Sequence, residues 1–445
     1  MNKPHRTSLV LFLVIVQIIF AITAGTAAIF AESLITVPTG VDIGGLSVGN
    51  MSYDAASKQI DAAYSDKMKS SSIQLQMEDG TVYEVPFSKI DAQIDPDATI
   101  ESVKKVSSIS ELPALLNSYF SHSKHDINPI ITFDEGKLRL ALIEISEKLQ
   151  IEPVNARISC NKGVVEKTAE KDGLKLNVTN TVNTIKKQLS EDPWSVIKLE
   201  RAKNYELETV LPDIGLKDYD DIQVVLSEYK TYIIDDELKN GINAAIASIN
   251  GVILNPRSQS DTADSLSLVE RLTEKSTSFN NDDEGYDQVA STLYAAILLS
   301  GLPEPKNNIT RMAHKLAVDY IEPGLDAWIS GNGGDLKFTN SFSKKIAVFA
   351  EIEDGYIKVM IAGSIADKNT YELRTEIVQK FSPTVYYVEN RSLKSGERVT
   401  LTSGRDGMLV NVYRNEELIS NDKYDAEKSI VQIGPNTQWD SDNGK

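Results

Sequence analysis

The sequence predicts a multidomain α+β protein that is held to a membrane by one N-terminal helix. Three observations support this fold class. Residues 8–31 carry no charge, the rest of the chain mixes short strand and helix patterns, and the last third is dominated by strand patterns with glycine turns. With 445 residues, of which 41% are hydrophobic and 25% charged, the chain is long enough for about three domains.

The uncharged segment 8–31 (SLVLFLVIVQIIFAITAGTAAIFA) predicts a transmembrane helix. Its 24 residues would span about 36 Å as a helix, which exceeds the ~30 Å hydrocarbon core of a bilayer. Lys3 and Arg6 precede the segment and Glu32 follows it. The positive-inside bias therefore predicts a cytoplasmic tail of residues 1–7 and an exported body. The small residues near its end leave a cleaved signal peptide as the alternative, which would also export the body.

Charge and cysteine content exclude several functions. Lys and Arg total 46 against 64 Asp and Glu, so the net charge of −18 disfavours nucleic-acid binding. Cys160 is the single cysteine, which excludes an intramolecular disulfide and a cysteine-rich zinc site. An exported body without disulfides indicates a Gram-positive bacterial surface rather than a eukaryotic secretory protein.

Two modules, 32–125 and 126–210, are predicted after the membrane segment, and each mixes strands with amphipathic helices. In the first, Ser52 is placed to cap a helix that runs to Tyr64, and a helix is predicted at Ser110–Phe120. The second is predicted to contain a strand at 130–133, a helix at 137–150, a hairpin between 156 and 166, a helix at 179–189 and a closing strand at 194–199.

The remaining chain is divided into a mixed α+β domain, 211–370, and a β-rich domain with its tail, 371–445. Helices are predicted at 238–254 and at 288–300, the second being the most apolar of the exported part, with Gly301 as its C-terminal cap. Later strand patterns are separated by glycines and cover 344–351, 356–361, 384–389, 397–402, 408–414 and 429–433.

An ordered set of short motifs between about residues 236 and 365 resembles the VanW family of bacterial surface proteins. The longest, Gln288-Val289-Ala290-Ser291-Thr292-Leu293-Tyr294, resembles the end of the family's Gly-Gly-Gly-x-Cys-Gln-x-Ser-Thr-x-Leu-Tyr motif. The other matching blocks are Asn243, Asn250-Gly251-Val252, Pro256, His314, Val318, Tyr320, Gly324-x-Asp326-Ala327 and Asp335-Leu336-x-Phe338-x-Asn340.

Two flanking stretches resemble other cell-wall modules, and together with the VanW resemblance they imply an envelope protein that faces the wall. Residues 32–210 are similar to the peptidoglycan-binding modules that precede VanW domains, through Val41-x-Ile43-x-Gly45-Leu46, Ala156 and Gly173. Residues 375–435 are similar to the five-glycine domain of cell-wall proteins, through Gly396, Gly404, Gly407, Val412-Tyr413-Arg414, Asp422-x-Tyr424, Ile430-Val431 and Gly434.

The chain departs from the VanW motif where the family has its cysteine. A thiol at a helix N-terminus, with a His and an Asp nearby, is what a thiol hydrolase or transferase needs. Here that position is Asp287, and of the motif's three glycines only Gly285 remains. Because Cys160 is predicted in another module, thiol chemistry is not expected at this site.

If this pocket retains catalysis, its candidate residues are Asp287, Gln288, His314 and Asp326. Asp287 has a competing role as the N-cap of the helix that follows it. Ser291 and its neighbour Thr292 are expected to bond backbone carbonyls within that helix. His314 is a candidate partner of Asp326 or Asp287, and the favoured expectation is a half-buried His with one hydrogen-bond partner.

No cofactor or metal site is predicted. His122 and His125 supply too few ligands for a metal, and the acidic groups at 213–221, 235–237 and 281–284 lack the D-x-D-x-D-G pattern of a calcium loop. No glycine-rich phosphate loop follows a strand. Aromatic side chains of this kind are more often core, although four are candidates for stacking on sugars: Trp194, Trp328, Tyr386 and Tyr387.

The sequence therefore predicts a single-pass membrane protein with its body outside the cell and no catalysis, which makes it a pseudoenzyme. We expect it to bind peptidoglycan or another cell-wall polymer, or a membrane or surface protein. One alternative is an enzyme that modifies wall peptides or glycans through the VanW-like pocket, and another is a scaffold subunit of a membrane complex. Since the body is acidic and the wall anionic, binding is expected through shape, hydrogen bonds or cations.

Overall fold

The computed structural model of the chain is 34% helical and 33% strand, which confirms the predicted α+β class. The structure describes residues 5–33, 35–106, 125–201, 206–256, 263–275 and 283–437. The predicted helix Ser110–Phe120, His122 and the start of the acidic group 281–284 lie outside the described residues. The chain divides into two compact units, one formed by residues 1–154 and 171–212 and the other by residues 155–170 and 213–445.

The helices of the described residues are α1 (His5–Ser33), α2 (Tyr53–Ser70), α3 (Pro96–Val106), α4 (Glu135–Leu149), α5 (Val178–Glu191), α6 (Lys239–Ile249), α7 (Leu268–Lys275), α8 (Glu284–Leu299) and α9 (Pro305–Asn308). The first strands are β1 (Val41–Ile43), β2 (Leu46–Ser47), β3 (Ser72–Gln76), β4 (Val82–Pro86), β5 (Gln93–Ile94), β6 (His125–Ile127), β7 (Ile131–Thr132), β8 (Arg157–Asn161), β9 (Val164–Thr168), β10 (Gly173–Leu176), β11 (Ile197–Lys198) and β12 (Leu207–Val210).

The later strands are β13 (Val224–Tyr232), β14 (Val252–Leu254), β15 (Ser265–Ser267), β16 (Ile309–Arg311), β17 (Leu336–Thr339), β18 (Ile346–Glu353), β19 (Tyr356–Gly363), β20 (Leu373–Phe381), β21 (Val385–Glu389), β22 (Arg398–Thr402), β23 (Gly407–Arg414), β24 (Glu417–Tyr424) and β25 (Ser429–Ile433). The β-rich character predicted for the end of the chain is confirmed.

Helix α1 contains the apolar segment that the sequence identifies. Its stretch Leu9–Ala28 has a mean hydropathy of 2.5 and is long and apolar enough to cross a membrane. Side chains along it, such as Phe20 at 72% exposure, have no protein to pack against. An apolar helix near the N-terminus is therefore present, and whether it anchors the chain or is a signal peptide stays a prediction.

The first compact unit is built on short sheets covered by helices. Strand β3 pairs antiparallel with β4 and parallel with β11, and β1 pairs parallel with β6. One hydrophobic core joins Leu75 and Phe87 to Leu142, Ile185 and Leu207. Residues from before and after the predicted module boundary, between 125 and 126, therefore contribute to one hydrophobic core.

Two side chains cap helices of this unit, and the first of them, Ser52, is the one that the sequence predicts. The Ser52 hydroxyl accepts a hydrogen bond from the Ala55 N–H at 3.3 Å, which caps α2. Asp134 caps α4 in the same way, from Lys137 N–H at 3.0 Å. The predicted hairpin between 156 and 166 is confirmed as β8 and β9, but it belongs to the second compact unit.

The second unit is centred on an antiparallel sheet of order β13-β19-β18-β14. Because side chains alternate along a strand, β18 and β19 have two different buried faces. Val348 and Val359 face a core shared with α6 and α8, and Phe349 and Met360 face the hairpin of β8 and β9. Every residue of α8 from 285 to 298 is buried, so this helix lies at the centre of the unit.

One helix prediction is wrong in its end point. The helix expected over 238–254 ends at Ile249, and Val252–Leu254 is strand β14 instead. The chain turns at Gly251, whose φ of +80° is accessible to glycine and ends the helix. The apolar residues beyond it then pair with β18 in the central sheet.

The C-terminal strands form two small sheets, of order β20-β23-β24 and β21-β25-β22. The first packs on the rest of the second unit, since Val412 of β23 is fully buried in the same core as α8. At this contact a Cβ on Gly324 would lie 2.5 Å from Val412 Cγ2. A glycine is needed there because the strand approaches the turn so closely.

We expect Gly285→Ala to destabilise the protein. A Cβ at this position would lie 2.6 Å from Leu238 O and 2.7 Å from Ile242 N, and these backbone atoms cannot move without shifting α6. Overpacking of this kind costs about 1–3 kcal/mol of unfolding free energy, measurable by chemical denaturation.

The matched control is Gly136→Ala in α4, whose Cβ would meet only the Asp134 carboxylate at 3.1 Å. Alanine is the better helix former by about 1 kcal/mol, so this variant is expected to be as stable as the parent or more so. A Gly285→Ala protein with parental stability would show that the close approach of α8 to α6 is not a constraint.

Candidate functional site

A cavity of about 380 Å³ lies beside the first turn of α8. It combines acidic, imidazole and aromatic groups with an apolar wall. Its lining residues are Ile234, Glu284, Asp287, His314, Val318, Asp319, Tyr320 and Trp328. Two of the sequence-predicted candidates, Asp287 and His314, therefore face the same space.

The predicted residues Asp287, His314 and Asp326 form a continuous hydrogen-bonded array. His314 Nε2 lies 3.0 Å from Asp287 Oδ2, and its Nδ1 lies 2.8 Å from Asp326 Oδ2. The backbone N–H of His314 also donates to Asp326 Oδ2 at 2.7 Å. The favoured expectation of one hydrogen-bond partner for His314 is wrong, because the imidazole lies between two carboxylates.

Asp287 does not cap a helix, which corrects that prediction. The N-cap of α8 is Asp283, whose carboxylate accepts from Gly285 N–H at 2.9 Å. Asp287 lies one turn further on, where its Oδ1 accepts from the Ile329 N–H at 2.6 Å. Both of its oxygens are therefore used to join α8 to the segments that contain His314 and Ile329.

Gln288, the remaining candidate, does not reach the cavity. Its side chain is fully buried, and its Nε2 donates to the Tyr232 carbonyl at 2.7 Å. Ser291 and Thr292 donate to the carbonyls of Asp287 and Gln288, each at 2.7 Å, as predicted for hydroxyls inside a helix. These three side chains are structural.

Asp326 is completely buried and has a further partner that sequence reasoning missed. The Tyr424 hydroxyl, on strand β24, donates to Asp326 Oδ1. The same hydroxyl accepts from the Gly324 N–H at 2.6 Å. Tyr424 is part of the five-glycine resemblance, but nothing in its local sequence indicates a contact 98 residues away.

Arg311 is the second residue that the sequence did not identify. Its guanidinium donates to the carbonyls of Asp326 and Gly324, at 3.0 and 2.8 Å, and is paired with the Asp422 carboxylate of β24. Its guanidinium carbon lies 4.6 Å from the centre of the Tyr294 ring. Arg311 therefore holds the turn that carries Asp326, with support from both α8 and the C-terminal sheet.

The array favours a protonated imidazole. Burial opposes the charge on His314, but hydrogen bonds and charges from Asp287 and Asp326 outweigh it and raise its pKa to about 9. For Asp287 burial dominates and raises the pKa of the carboxyl above its usual range. Burial also acts on Asp326, but donors from His314 and Tyr424 lower the pKa of that carboxyl.

The single cysteine lies away from this cavity. Cys160 is half-buried in strand β8, with its Sγ 3.5 Å from Met360 Sδ. Burial raises the pKa of its thiol, and the charge of Glu351 adds to the rise, so the thiolate is disfavoured. His125 lies in β6 of the first unit and is not among the residues that line the cavity.

The four aromatic candidates for sugar stacking are divided by their surroundings. Trp194 stacks on Tyr64 at 6.2 Å between ring centres and lies under Lys67, so it is part of the first unit's packing. Trp328 is half-buried and lines the cavity. Tyr386 is 47% exposed on β21, and Tyr387 is half-buried on the same strand.

Comparison with known proteins assigns the region that contains this cavity. Residues 238–362 match the family model "VanW like protein". This segment is similar to that family, and we refer to it as the VanW-like domain. It contains Asp287, His314 and Asp326, while Tyr424 and Asp422 lie outside the matched range. In the first unit, residues 83–196 match the model "Putative peptidoglycan binding domain".

Two individual proteins are also similar. "Uncharacterized protein YoaR" of Bacillus subtilis (strain 168) is 32% identical over 80 residues, which are 18% of this chain and 25% of the relative. The matched region thus spans a quarter of that relative's length. A solved "IgA1 Protease G5 domain structure" is 23% identical, covers 16% of this chain and 96% of its own, and has a TM-score of 0.11. The five-glycine interpretation of residues 371–445 stays a prediction.

Because the folded protein favours a protonated His314, we expect the free energy of unfolding to fall as the pH rises into the alkaline range. Its folded-state pKa of about 9 is above the ordinary value of 6.5. The protonated imidazole therefore makes its full contribution to the free energy of unfolding below pH 6.5, and this contribution is lost as the pH rises through about 9. The shift corresponds to about 3 kcal/mol of unfolding free energy.

The measurement compares unfolding free energies of the parent and His314→Gln at pH 6 and pH 10. Because other groups titrate in both proteins, the difference between the two profiles isolates His314. Parallel profiles would contradict the raised pKa.

Proposed function

We propose that this chain is a membrane-anchored, extracytoplasmic protein of the cell envelope that binds the cell wall without chemistry at the VanW-like cavity. The match of residues 83–196 to a peptidoglycan-binding family model supports a wall polymer as the partner. The apolar helix α1, with Lys3 and Arg6 before it, supports an anchor with its N-terminus in the cytoplasm.

The observation that carries the non-catalytic proposal is the state of the residue at the family's cysteine position. Asp287 uses Oδ1 for the Ile329 N–H and Oδ2 for His314, so neither oxygen is held ready for attack on a substrate. Ser291, one turn after Asp287 on the helix, is fully buried, and its hydroxyl accepts from the Ala327 N–H at 2.8 Å. Cys160 packs against Met360 elsewhere.

The chemistry of the cavity suits a ligand with both a flat apolar surface and polar groups. Trp328, Ile234 and Val318 offer apolar contact, and Tyr320 and the imidazolium of His314 are polar. Aromatic faces and hydrogen-bonding groups together suit a sugar ring or a short wall peptide. Such binding does not depend on the net charge of −18, which opposes simple attraction to an anionic wall.

An enzyme that acts on wall peptides or glycans is the second candidate. It is favoured by one observation, the hydrogen-bonded array of Asp287, His314 and the buried Asp326, of which Asp287 and His314 line the cavity. In such an enzyme Asp287, whose carboxyl pKa is raised by burial, would have to leave Ile329 and act as an acid or base.

Binding to purified peptidoglycan sacculi tests the first proposal. We expect the full-length chain in detergent to sediment with sacculi, and Trp328→Ala to weaken this binding about tenfold, or about 1.4 kcal/mol. Trp328→Phe keeps an aromatic face and is expected to retain most of the affinity. Equal binding by all three proteins would show that the cavity is not the wall-binding surface.

Incubation of the same sacculi tests for catalysis. The parent protein is expected to release no more soluble wall fragments than a heat-denatured sample. Release that disappears in a folded His314→Ala variant would establish the enzymatic alternative instead. If sacculi neither bind nor change, a protein partner becomes the leading hypothesis, and crosslinking at the cell surface is the experiment that identifies it.

A further inference from the structure

Strand β24 carries two side chains that end inside the VanW-like domain. Tyr424 is fully buried, and its hydroxyl lies between Asp326 Oδ1 and the Gly324 N–H. Asp422, two residues earlier on the strand, contacts Arg311 and also accepts from the Ser420 hydroxyl at 2.7 Å. Both contacts converge on the turn from 324 to 326.

The two carboxylate oxygens of Asp326 have different hydrogen-bond partners. Oδ2 accepts from the His314 backbone N–H and faces its Nδ1, so it fixes the imidazole. Oδ1 accepts from Tyr424, which is its hydrogen-bond partner among the described residues. Because Asp326 is 0% exposed, no bulk water is present to replace the phenol if it is lost.

We infer that Tyr424 is a positioning residue for the VanW-like cavity: it orients the Asp326 carboxylate, which in turn holds His314. The hydrogen-bonded array beside the cavity thus includes a residue of the C-terminal sheet, beyond the range that matches the VanW family model. This inference does not rest on the identity of the ligand, because it concerns the geometry and ionisation of the array itself.

Tyr424→Phe isolates the hydrogen bond, since it keeps the buried ring and removes only the hydroxyl. The ionised form of Asp326 then loses a donor, while its protonated form loses little. Removal of a hydrogen bond to a carboxylate raises the pKa of that carboxyl. Loss of a hydrogen bond to a charged group of this kind is expected to raise the pKa of the carboxyl by about 1–2 units.

The experiment follows the histidine side chains by nitrogen NMR in the full-length, detergent-solubilised protein. The chain has four His, so the His314→Gln spectrum assigns the His314 signals. The Nδ1 resonance reports on Asp326, which it contacts, whereas Nε2 reports on Asp287. When the pH is lowered, the Nδ1 chemical shift is expected to change as Asp326 gains its proton. We expect the midpoint of this change, the Nδ1 inflection, to lie about 1–2 pH units higher in Tyr424→Phe than in the parent.

Tyr413→Phe on the neighbouring strand β23 is the matched control. Its hydroxyl accepts from Asn411 Nδ2 at 3.0 Å and has no bond to the array, so the inflection should stay at the parental pH. A folded Tyr424→Phe protein whose Nδ1 inflection is also unchanged would overturn the inference.

A second measurement covers the case in which Tyr424→Phe does not fold. The parent chain is produced with 3-fluorotyrosine, whose phenol is more acidic and is a stronger donor. The Nδ1 inflection is then expected to move to lower pH. No movement in this protein would overturn the inference as well.

Discussion

Asp326 is a charged group with no exposure to solvent, and the second unit is arranged to supply its donors. They come from distant parts of the chain: His314 through its backbone and ring, and Tyr424 through its hydroxyl. Arg311 adds a positive charge nearby and holds the backbone of the same turn. A buried carboxylate is costly unless it is paired and hydrogen-bonded, so these segments must be in place together. Of these groups, His314 also lines the cavity, so the partners of Asp326 fix the position of that lining residue.

The same arrangement supplies partners for Asp287, the residue that the VanW resemblance aligns with the family's cysteine. Asp287 is nearly as buried as Asp326, yet it gains the Ile329 N–H and the His314 imidazolium as partners. A carboxylate at the start of α8 also interacts favourably with the N-terminal end of the helix. Asp287 therefore links α8 to the two segments that face it.

The helices and strands that can be predicted from the sequence are those in which apolar residues recur at regular spacing. Those that depend on contacts with distant parts of the chain are missed. The buried stripe of α4 and the hairpin of β8 and β9 are found correctly because their apolar spacing is regular. Strands β20 and β24 are missed, since β20 is mostly exposed and β24 has a polar run at its centre. The candidates Asp287, His314 and Asp326 come from the order and spacing of the motifs that resemble the VanW family, not from the periodicity of apolar residues. Tyr424 could not be found in this way, because its role exists only once the C-terminal sheet has packed.

The hairpin of β8 and β9 has a consequence for the order in which the chain assembles. The chain leaves the first compact unit after residue 154, forms the hairpin, and returns at residue 171. The sheet that the hairpin covers is completed about 200 residues later, as the contact between Cys160 and Met360 shows. Contacts of such long sequence separation form slowly because a large loop must close first. The part of the hairpin's apolar face around Cys160 is therefore covered only after β18 and β19 have been synthesised, whereas its contacts with Tyr219 and Ile222 need a much shorter stretch of chain.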